Sequence, residues 1–357
     1  MIDGAPLGRR AYDFAAPIEA GFGEAREPVL DRLVVTRAFR RLSGIRFLGG
    51  IDYLRVPRPN GRPGSRRYTR YQHSLGVARL ALLYCDLKDV RGPERRLVTV
   101  AALLHDIGHA PLSHSLEPVF KSAFGIDHHG ATEALVTGRV PLGREVHAIL
   151  KESGIDVERL IAVIGGCEPG HDGFFAGPIN FDTIEGILRT QTYERPAPRL
   201  ASPETVMTAA ARRAGEADRI AVDEFWSYKD LVYRSIINAP SGILADAVCQ
   251  AFMRRHLAAF SAADVLSTEE AVFRKLPGLR PLLRSPGFAR EVGTVLDTTI
   301  RFRARRFEVD PRGDFFARDD ATRYRQSRTE SLVLPGAAAG GHPPLPTQNV
   351  FDDIAGD

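Results

Sequence analysis

The sequence predicts a mainly α protein closed by a small C-terminal α+β subdomain, and three observations lead there. Apolar residues recur at helical spacing through most of the first 262 positions. The runs that interrupt them, such as DYLRVPRPNGRPGSRRYT (52–69) and GGCEPGHDGFFAGP (165–178), are dense in Gly, Pro or charged residues and read as loops. Residues 299–317, TIRFRARRFEVDPRGDFFA, alternate apolar and basic side chains around a Pro-Arg-Gly turn, the mark of a short strand pair. A helical domain over 1–300, a small subdomain over 301–335 and a flexible tail over 336–357, poor in packing residues, follow from these.

In chain order, a turn-rich lead (Gly21, Gly23, Pro28) precedes Leu30, Leu33, Val34, Phe39, Leu42 and Ile45 at helical spacing. Helices are expected over 71–90 and 94–109, then around 129–137, 143–152, 155–163, 181–190, 204–237 and 242–262. The run 165–178 lacks the strand-then-helix frame of a phosphate cradle, so its His171-Asp172 pair is read as incidental.

Composition narrows the class. The 357 residues are 44% hydrophobic and 26% charged, which excludes collagen-like, coiled-coil and wholly disordered chains. No apolar run approaches the ~20 residues of a spanning helix. The opening MIDGAPLGRR lacks the apolar centre of a signal peptide, so a cytoplasmic protein with no membrane partner is expected. Cys85, Cys167 and Cys249 are spaced too widely for a thiolate metal site or a disulfide framework, and are expected to be small buried residues. The net charge is +4 and the basic excess is nearly all arginine, with lysine only at 88, 121, 151, 229 and 275. Arginine grips phosphate or carboxylate through paired hydrogen bonds, so an anionic ligand suits the composition. An arginine-rich genome would give the same bias.

The chemistry is concentrated in AALLHDIGHAPLSH (101–114). An apolar helical run stops on His105 and Asp106, with Gly108 and Pro111 just beyond, which sets an imidazole beside a carboxylate at the rim of a core. His109 lies about one turn below His105 at ~3.6 residues per turn, and His114 follows on the exit loop. In RYQHSLGVARLALL, His73 opens a helix whose Leu75, Val77, Leu80, Leu82 and Leu83 argue for burial, and Arg70 precedes it by one turn. A buried imidazole needs a partner, and a divalent cation shared with His105 and Asp106 supplies one. Asp182, flanked by apolar residues in PINFDTIEGILRT, is a further acid that should not be buried unpaired. Two imidazoles and two carboxylates suit one ion of Mn, Fe, Co, Ni or Zn, with Mg fitting better on the phosphates of a substrate.

The spacing His73, His105-Asp106, Asp182 resembles the H…HD…D signature of the HD-superfamily metal phosphohydrolases. FRRLSGIRFLGGIDYL (39–54), RYQHSLGVARLA (70–81) and HDIGHAPLSHSLEPVF (105–120) run in the order found in deoxynucleoside triphosphate triphosphohydrolases, the SAM-and-HD-domain proteins and bacterial dGTPase-like enzymes. The resemblance covers roughly residues 12–260. It implies an HD-domain helical bundle, a homo-oligomer and a nucleotide substrate. It makes His73, His105, Asp106 and Asp182 the metal ligands and Arg70 the arginine that holds the α-phosphate. His109 and His114 fall on active-site histidines near the phosphate chain, Glu117 on an acid that orients a histidine, and Leu48 on a pocket residue. The general acid falls on the pair His128-His129, of which His129 is taken because it directly precedes Gly130. Lys229, in WSYKDLVYR, falls where the family sets a basic residue against the phosphates; a solvated lysine on a helix face is its other reading. The implied reaction is hydrolysis of a (deoxy)nucleoside triphosphate at the α-phosphorus, giving nucleoside and triphosphate.

Departures from the family bear on the substrate. Phe47 stands near the position of a glutamine that recognises the 3′-hydroxyl region, and Gly186 where a tyrosine usually walls the sugar. Ala16 stands where an allosteric nucleotide site often has an aspartate. The loop 57–67, with Arg58, Arg62, Arg66 and Arg67, precedes Arg70 and is placed to hang over the pocket, for extra phosphates or a nucleic-acid strand. A nucleoside monophosphate, a cyclic nucleotide or a specialised nucleotide is therefore the rival substrate. Two other classes remain: a diiron oxygenase using His109, His128 and His129, and a nucleotide- or nucleic-acid-binding module without turnover.

Overall fold

The structure, a computed structural model, describes residues 27–55, 68–168, 177–193, 200–296, 299–316, 322–335 and 347–349. Ala16, the 57–67 loop with its four arginines, the His171-Asp172 pair and, apart from 347–349, the 336–357 segment lie outside the described residues.

Helices Pro28–Val34 (α1) and Arg37–Arg41 (α2) lead to the long helix Arg70–Leu87 (α3) and to Gly92–Leu104 (α4). Glu117–Phe124 (α5), His128–Val136 (α6), Arg144–Glu152 (α7), Val157–Ile164 (α8) and Phe181–Arg189 (α9) follow. Pro203–Arg212 (α10), Glu216–Val232 (α11), Pro240–Arg255 (α12) and Glu269–Lys275 (α13) precede two short helices and the strands Thr299–Val309 (β1), Tyr324–Val333 (β2) and Thr347–Asn349 (β3). The fold is mainly α with a small C-terminal sheet, as the apolar periodicity requires.

Helix α3 is the axis of the molecule, and its sequence explains why. Thr69 and Gln72 form a capping box at its start. Beyond the first turn, Leu75, Ala78 and Leu82 pack in a core shared with α1, α2, α4, α7 and α8. Val77, Leu80, Ala81 and Cys85 pack in a second core with α9, α10 and α11. A helix apolar on both sides must sit between layers. Its buried polar residues, Arg70, His73 and Ser74, are gathered at the N-terminal end, which is where the site lies.

Helix α4 stops at Leu104, short of the expected 109. The buried Arg41 guanidinium donates to the carbonyls of Ile107 and His109 at 2.7 and 2.9 Å, so the chain turns away while its orphaned carbonyls stay paired. The helix expected over 204–237 is divided at Arg213, whose φ of 46° is left-handed, and it ends in a π-helical turn at Tyr233–Ile237. Strand β1 begins at Thr299 as expected, but its antiparallel partner is Tyr324–Val333 and not the residues straight after the Pro-Arg-Gly turn. That turn opens a longer connection, fastened by Arg323 donating to Gly313 O at 2.8 Å and to Asp223. β3 pairs parallel to β1 from within the expected tail. Phe307 and Tyr324 pack on Trp226 of α11, and Ile300, Phe302 and Val333 join the core around α12. The sheet is thus a wall of the helical body. Cys85 and Cys249 are buried as expected; Cys167, in the turn after α8, is exposed. Among the described residues no single helix is long and apolar enough to cross a membrane.

Glu269, the first residue of α13, fixes the loop that carries the histidines. Its Oε1 accepts from Arg46 N at 2.8 Å and Leu112 N at 3.1 Å, and Tyr53 OH donates to its Oε2. Leu112 and Ser113 are both left-handed, at φ 59° and 46°, a strained pair that needs such anchoring. Burial pushes Glu269 up to about 7 against these hydrogen bonds. Glu269→Ala leaves three donors unpaired and is expected to cost ~3 kcal/mol or more. Glu269→Gln accepts from the same two N–H groups and donates to Tyr53, so it stays within ~1 kcal/mol at neutral pH. Because the carboxyl is raised from 4.5 to about 7 in the folded state, folding takes up protons between those values. This group's contribution to stability therefore falls as pH rises through that window, and Glu269→Gln flattens the slope. Denaturant melts at pH 5 and 8 check both effects, and a Glu269→Ala protein as stable as wild type contradicts the anchoring role.

Candidate active site

His73 projects from the first turns of α3, His105 and Asp106 follow the last residue of α4, and Asp182 sits in the first turn of α9. Asn180 caps α9 by accepting from Thr183 N at 2.7 Å, which fixes the start of that helix. The sequence separations vanish in space: ligand atoms of His73, His105 and Asp106 lie within 4.8 Å of one another. Asp182 Oδ1 stands 2.9 Å from His73 Nε2 and 3.9 Å from His105 Nε2.

The outer nitrogens of both rings are already used. His105 Nδ1 donates to Ala102 O at 2.9 Å, and His73 Nδ1 is hydrogen-bonded to Glu185. Both Nε2 atoms are buried and turned toward the two aspartates: that of His73 lies in ion-pair contact with Asp182, and that of His105, 3.5 Å from Asp106 Oδ1, has no hydrogen-bond partner. Buried ring nitrogens are rarely left unpaired. Two imidazole nitrogens converging on two carboxylates, each ring oriented by a hydrogen bond at its far side, fit a divalent transition ion. The electrostatics agree. Burial opposes charge on His73, yet Glu185 and Asp182 push it up to about 9. Burial likewise opposes charge on Asp106, but His105, His109 and Arg70 hold its carboxyl well below the usual range, and His73 does the same for Asp182. The negative field is strong enough to charge a buried imidazole, and a cation would answer it.

Sequence reasoning missed Glu185. It lies one turn after Asp182 on an apolar helix, so the burial argument used for Asp182 applies to it equally. Its carboxylate also pairs with Arg189 and reaches His73 only because residue 76 is glycine: a Cβ there would stand 2.2 Å from Glu185 Oε1.

Beyond these four candidate ligands lies a chain of histidines. His109 Nε2 is 3.1 Å from Asp106 Oδ1, and its ring stacks on His128 at 4.5 Å, 5° from parallel. Glu117 binds His114 Nδ1 at 3.2 Å and also takes His128 Nδ1 and, at 2.9 Å, His128 N. Burial keeps His109 neutral, whereas Glu117 raises His128 despite burial. His129 is exposed, and its ring lies against that of its neighbour His128. The place expected for His129 is thus held by His128: Asp127 caps α6 through Gly130 N, which turns the first residue of that helix inward.

The pocket over this floor is lined by Leu48, Arg70, His114, Asp106 and Asp182, all anticipated. Arg70 donates to Asp106 Oδ2 at 2.7 Å and to Ser113 Oγ at 3.1 Å. Phe47 lies 4.8 Å from the His73 ring, tilted 39° to it, and fills the space over Gly186, where a Cβ would stand 3.1 Å from its ring. The wall that a tyrosine would have supplied at 186 therefore comes from Phe47. Lys229 is not among the lining residues: it is buried between the Trp226 and Phe307 rings, donates to Pro178 O at 3.1 Å, and falls to about 7, chiefly through burial. The basic side of the pocket is built instead by Arg303, Arg305 and Arg328 from the sheet, and an acid that the sequence reading did not single out, Asp246, faces it while accepting from Ser115 Oγ at 2.5 Å.

A family model described as the HD domain matches residues 70–162, the stretch that contains His73, His105 and Asp106. Residues 70–162 form an HD domain. The chain is 32% identical over 142 residues, 38% of its length, to an uncharacterized protein, YwfO, of Bacillus subtilis. It is 32% identical over 153 residues to the deoxynucleoside triphosphate triphosphohydrolase SAMHD1 of Gallus gallus, and 35% over 100 residues to that of Homo sapiens. The matches span 30%, 23% and 15% of those relatives. Asp182, Glu185 and the sheet arginines lie outside the HD-domain match and join the site through α9 and β1–β2.

Proposed function

We propose that this HD-domain protein is a metal-dependent nucleotide phosphohydrolase, and that it cleaves a (deoxy)nucleoside triphosphate at the α-phosphorus. The observation that carries the reading is the convergence of the Nε2 atoms of His73 and His105 on Asp106 and Asp182 at the floor of an arginine-bearing pocket. The similarity to triphosphohydrolases named for deoxynucleoside triphosphates supports the substrate class.

His73, His105, Asp106 and Asp182 would hold the ion, which supplies a Lewis acid for a phosphate oxygen and lowers the pKa of a water. The remaining work belongs to the chain. Arg70, locked by Asp106 and Ser113, offers a guanidinium to the α-phosphate. Water attacks the phosphorus, the bond to the 5′ oxygen breaks, and that oxygen takes a proton from His128, which Glu117 holds in place. His109, kept neutral and stacked on His128, separates the acid from Asp106. A nucleoside monophosphate or other specialised nucleotide is the rival substrate, favoured by Phe47, which brings no hydrogen bond to a sugar.

His128→Ala is expected to keep its metal and lose ~10²-fold or more in rate, the usual weight of a general acid, while His129→Ala stays within about twofold. Reaction in ¹⁸O-labelled water is expected to put the label in triphosphate. Label in orthophosphate or in the nucleoside, or loss of rate in His129→Ala alone, overturns this assignment.

A further inference from the structure

Asp246 is an acid that the hydrolytic step does not use. It projects from α12 into the same cavity as Asp106, Asp182 and Arg70. Its Oδ1 accepts from Ser115 Oγ at 2.5 Å, and that hydroxyl oxygen in turn accepts from Gly50 N at 2.8 Å. Among the described residues no other hydrogen bond or ion pair reaches the carboxylate. Burial pushes it up to about 7, opposed only by the Ser115 hydroxyl, whereas Arg70 and two histidines hold Asp106 down. A pocket acid that shares a cavity with arginines and pairs with none of them is not there to balance charge.

Its position narrows what it can meet. No charged group of the metal floor acts on it, so it stands away from the place of the reacting phosphate, and a carboxylate repels phosphates in any case. Ile243, one turn earlier on α12, and Leu48, two residues before Gly50, line the same cavity with apolar surface. Apolar walls with one acceptor between them suit a flat heterocycle that presents an N–H. We propose that Asp246 is a specificity-determining residue that reads the base of the nucleotide, its free carboxylate oxygen accepting a hydrogen bond from an N–H group on the base edge. The inference rests on the phosphohydrolase reading for the presence of a nucleotide, and deepens it by assigning the part of the pocket that takes the base. A base without such a donor leaves the acceptor desolvated and unpaired, so it is rejected and does not merely lose a contact.

The test uses the full chain loaded with Mn and matched nucleoside triphosphates. Guanine, adenine and cytosine nucleotides are compared with purine and 2-pyrimidinone counterparts, which have no N–H on the base, in deoxy and 2′,3′-dideoxy forms. Wild type is expected to favour a natural base over its donor-free counterpart by about tenfold or more in kcat/KM. In Asp246→Asn the amide oxygen still takes the Ser115 proton, but an N–H2 group replaces the free acceptor. That ratio is then expected to fall to about one or to invert, while the deoxy-to-dideoxy ratio stays within about twofold. Ser115→Ala removes the structural bond and keeps the carboxylate, and is expected to retain a base ratio of about threefold or more. A purely structural role for Asp246 would slow every nucleotide alike and leave the ratio at its wild-type value, which overturns the proposal. So does a wild-type ratio near one, or a change confined to the deoxy-to-dideoxy ratio, which moves the contact to the sugar. Hydrolysis of nucleotides without base discrimination sinks the role of Asp246 and leaves the phosphohydrolase reading standing. Base discrimination in calorimetric binding, lost in Asp246→Asn, without hydrolysis of any nucleotide does the reverse.

Discussion

Asp106→Ala is expected to release the metal and to lower turnover by ~10³-fold or more, since a lost ligand removes both the Lewis acid and its electrostatic work. The effect should exceed that of any single pocket residue because Asp106 serves four groups at once. Its Oδ2 takes Arg70 at 2.7 Å and lies 3.5 Å from His73 Nε2, while its Oδ1 lies 3.1 Å from His109 Nε2 and 3.5 Å from His105 Nε2. Removing it leaves the Arg70 charge buried without its carboxylate, which also costs stability. Asp106→Asn separates the two consequences: the amide keeps the shape and an acceptor for Arg70 but is a poor ligand. Metal content by elemental analysis and turnover of the purified variants check this; Asp106→Asn retaining stoichiometric metal and full rate would sink the site assignment.

Gly108→Ala is expected to be the most destabilising single methyl in the site, costing ~4 kcal/mol or more, at the exceptional end of point mutations. A Cβ at 108 would stand 2.3 Å from His128 O, 2.3 Å from Thr132 N and 2.6 Å from Thr132 Oγ1. Two of those atoms are main chain, so no rotamer change relieves the overlap, and α6 as a whole has to shift. The shift also breaks the bond from Gly108 N to Thr132 Oγ1 at 3.0 Å and carries His128 off Glu117. Urea or guanidinium melts measure the first effect, and the rate of whatever folds measures the second. A variant with an unchanged midpoint contradicts the close approach of α6 to the HD loop.

That glycine shows what the sequence yields and what it withholds. Gly108 is legible as a helix end, and α4 does end before it. Its larger function, admitting α6, depends on residues 20 to 24 positions away and has no local trace. The candidate metal set is legible because each member is a polar residue at the end of an apolar helical run, where burial demands a partner. Glu185 obeys the same logic on the same helix as Asp182, and the spacing of one turn was sufficient to find it. The choice between His128 and His129 turns on a helix cap, Asp127 with Gly130 N, that sets which residue faces inward. Lys229 and the sheet arginines mark the limit. Helical spacing gives no information on whether a lysine on α11 meets the pocket or the Trp226 ring. That β1 and β2 supply the basic wall follows from docking of a strand pair onto α11 and α12, a long-range contact between segments some seventy residues apart. The strand partner was misplaced for a related reason: a Pro-Arg-Gly turn signals a reversal of the chain, but not how far the return strand lies beyond it.

The most direct test is to incubate metal-loaded protein with nucleoside mono-, di- and triphosphates, ribo and deoxy, with and without chelator, and to separate the products. Nucleoside and triphosphate, formed from triphosphates and only while metal is bound, are the expected result. Orthophosphate from monophosphates alone, or turnover that persists after the metal is stripped, contradicts it.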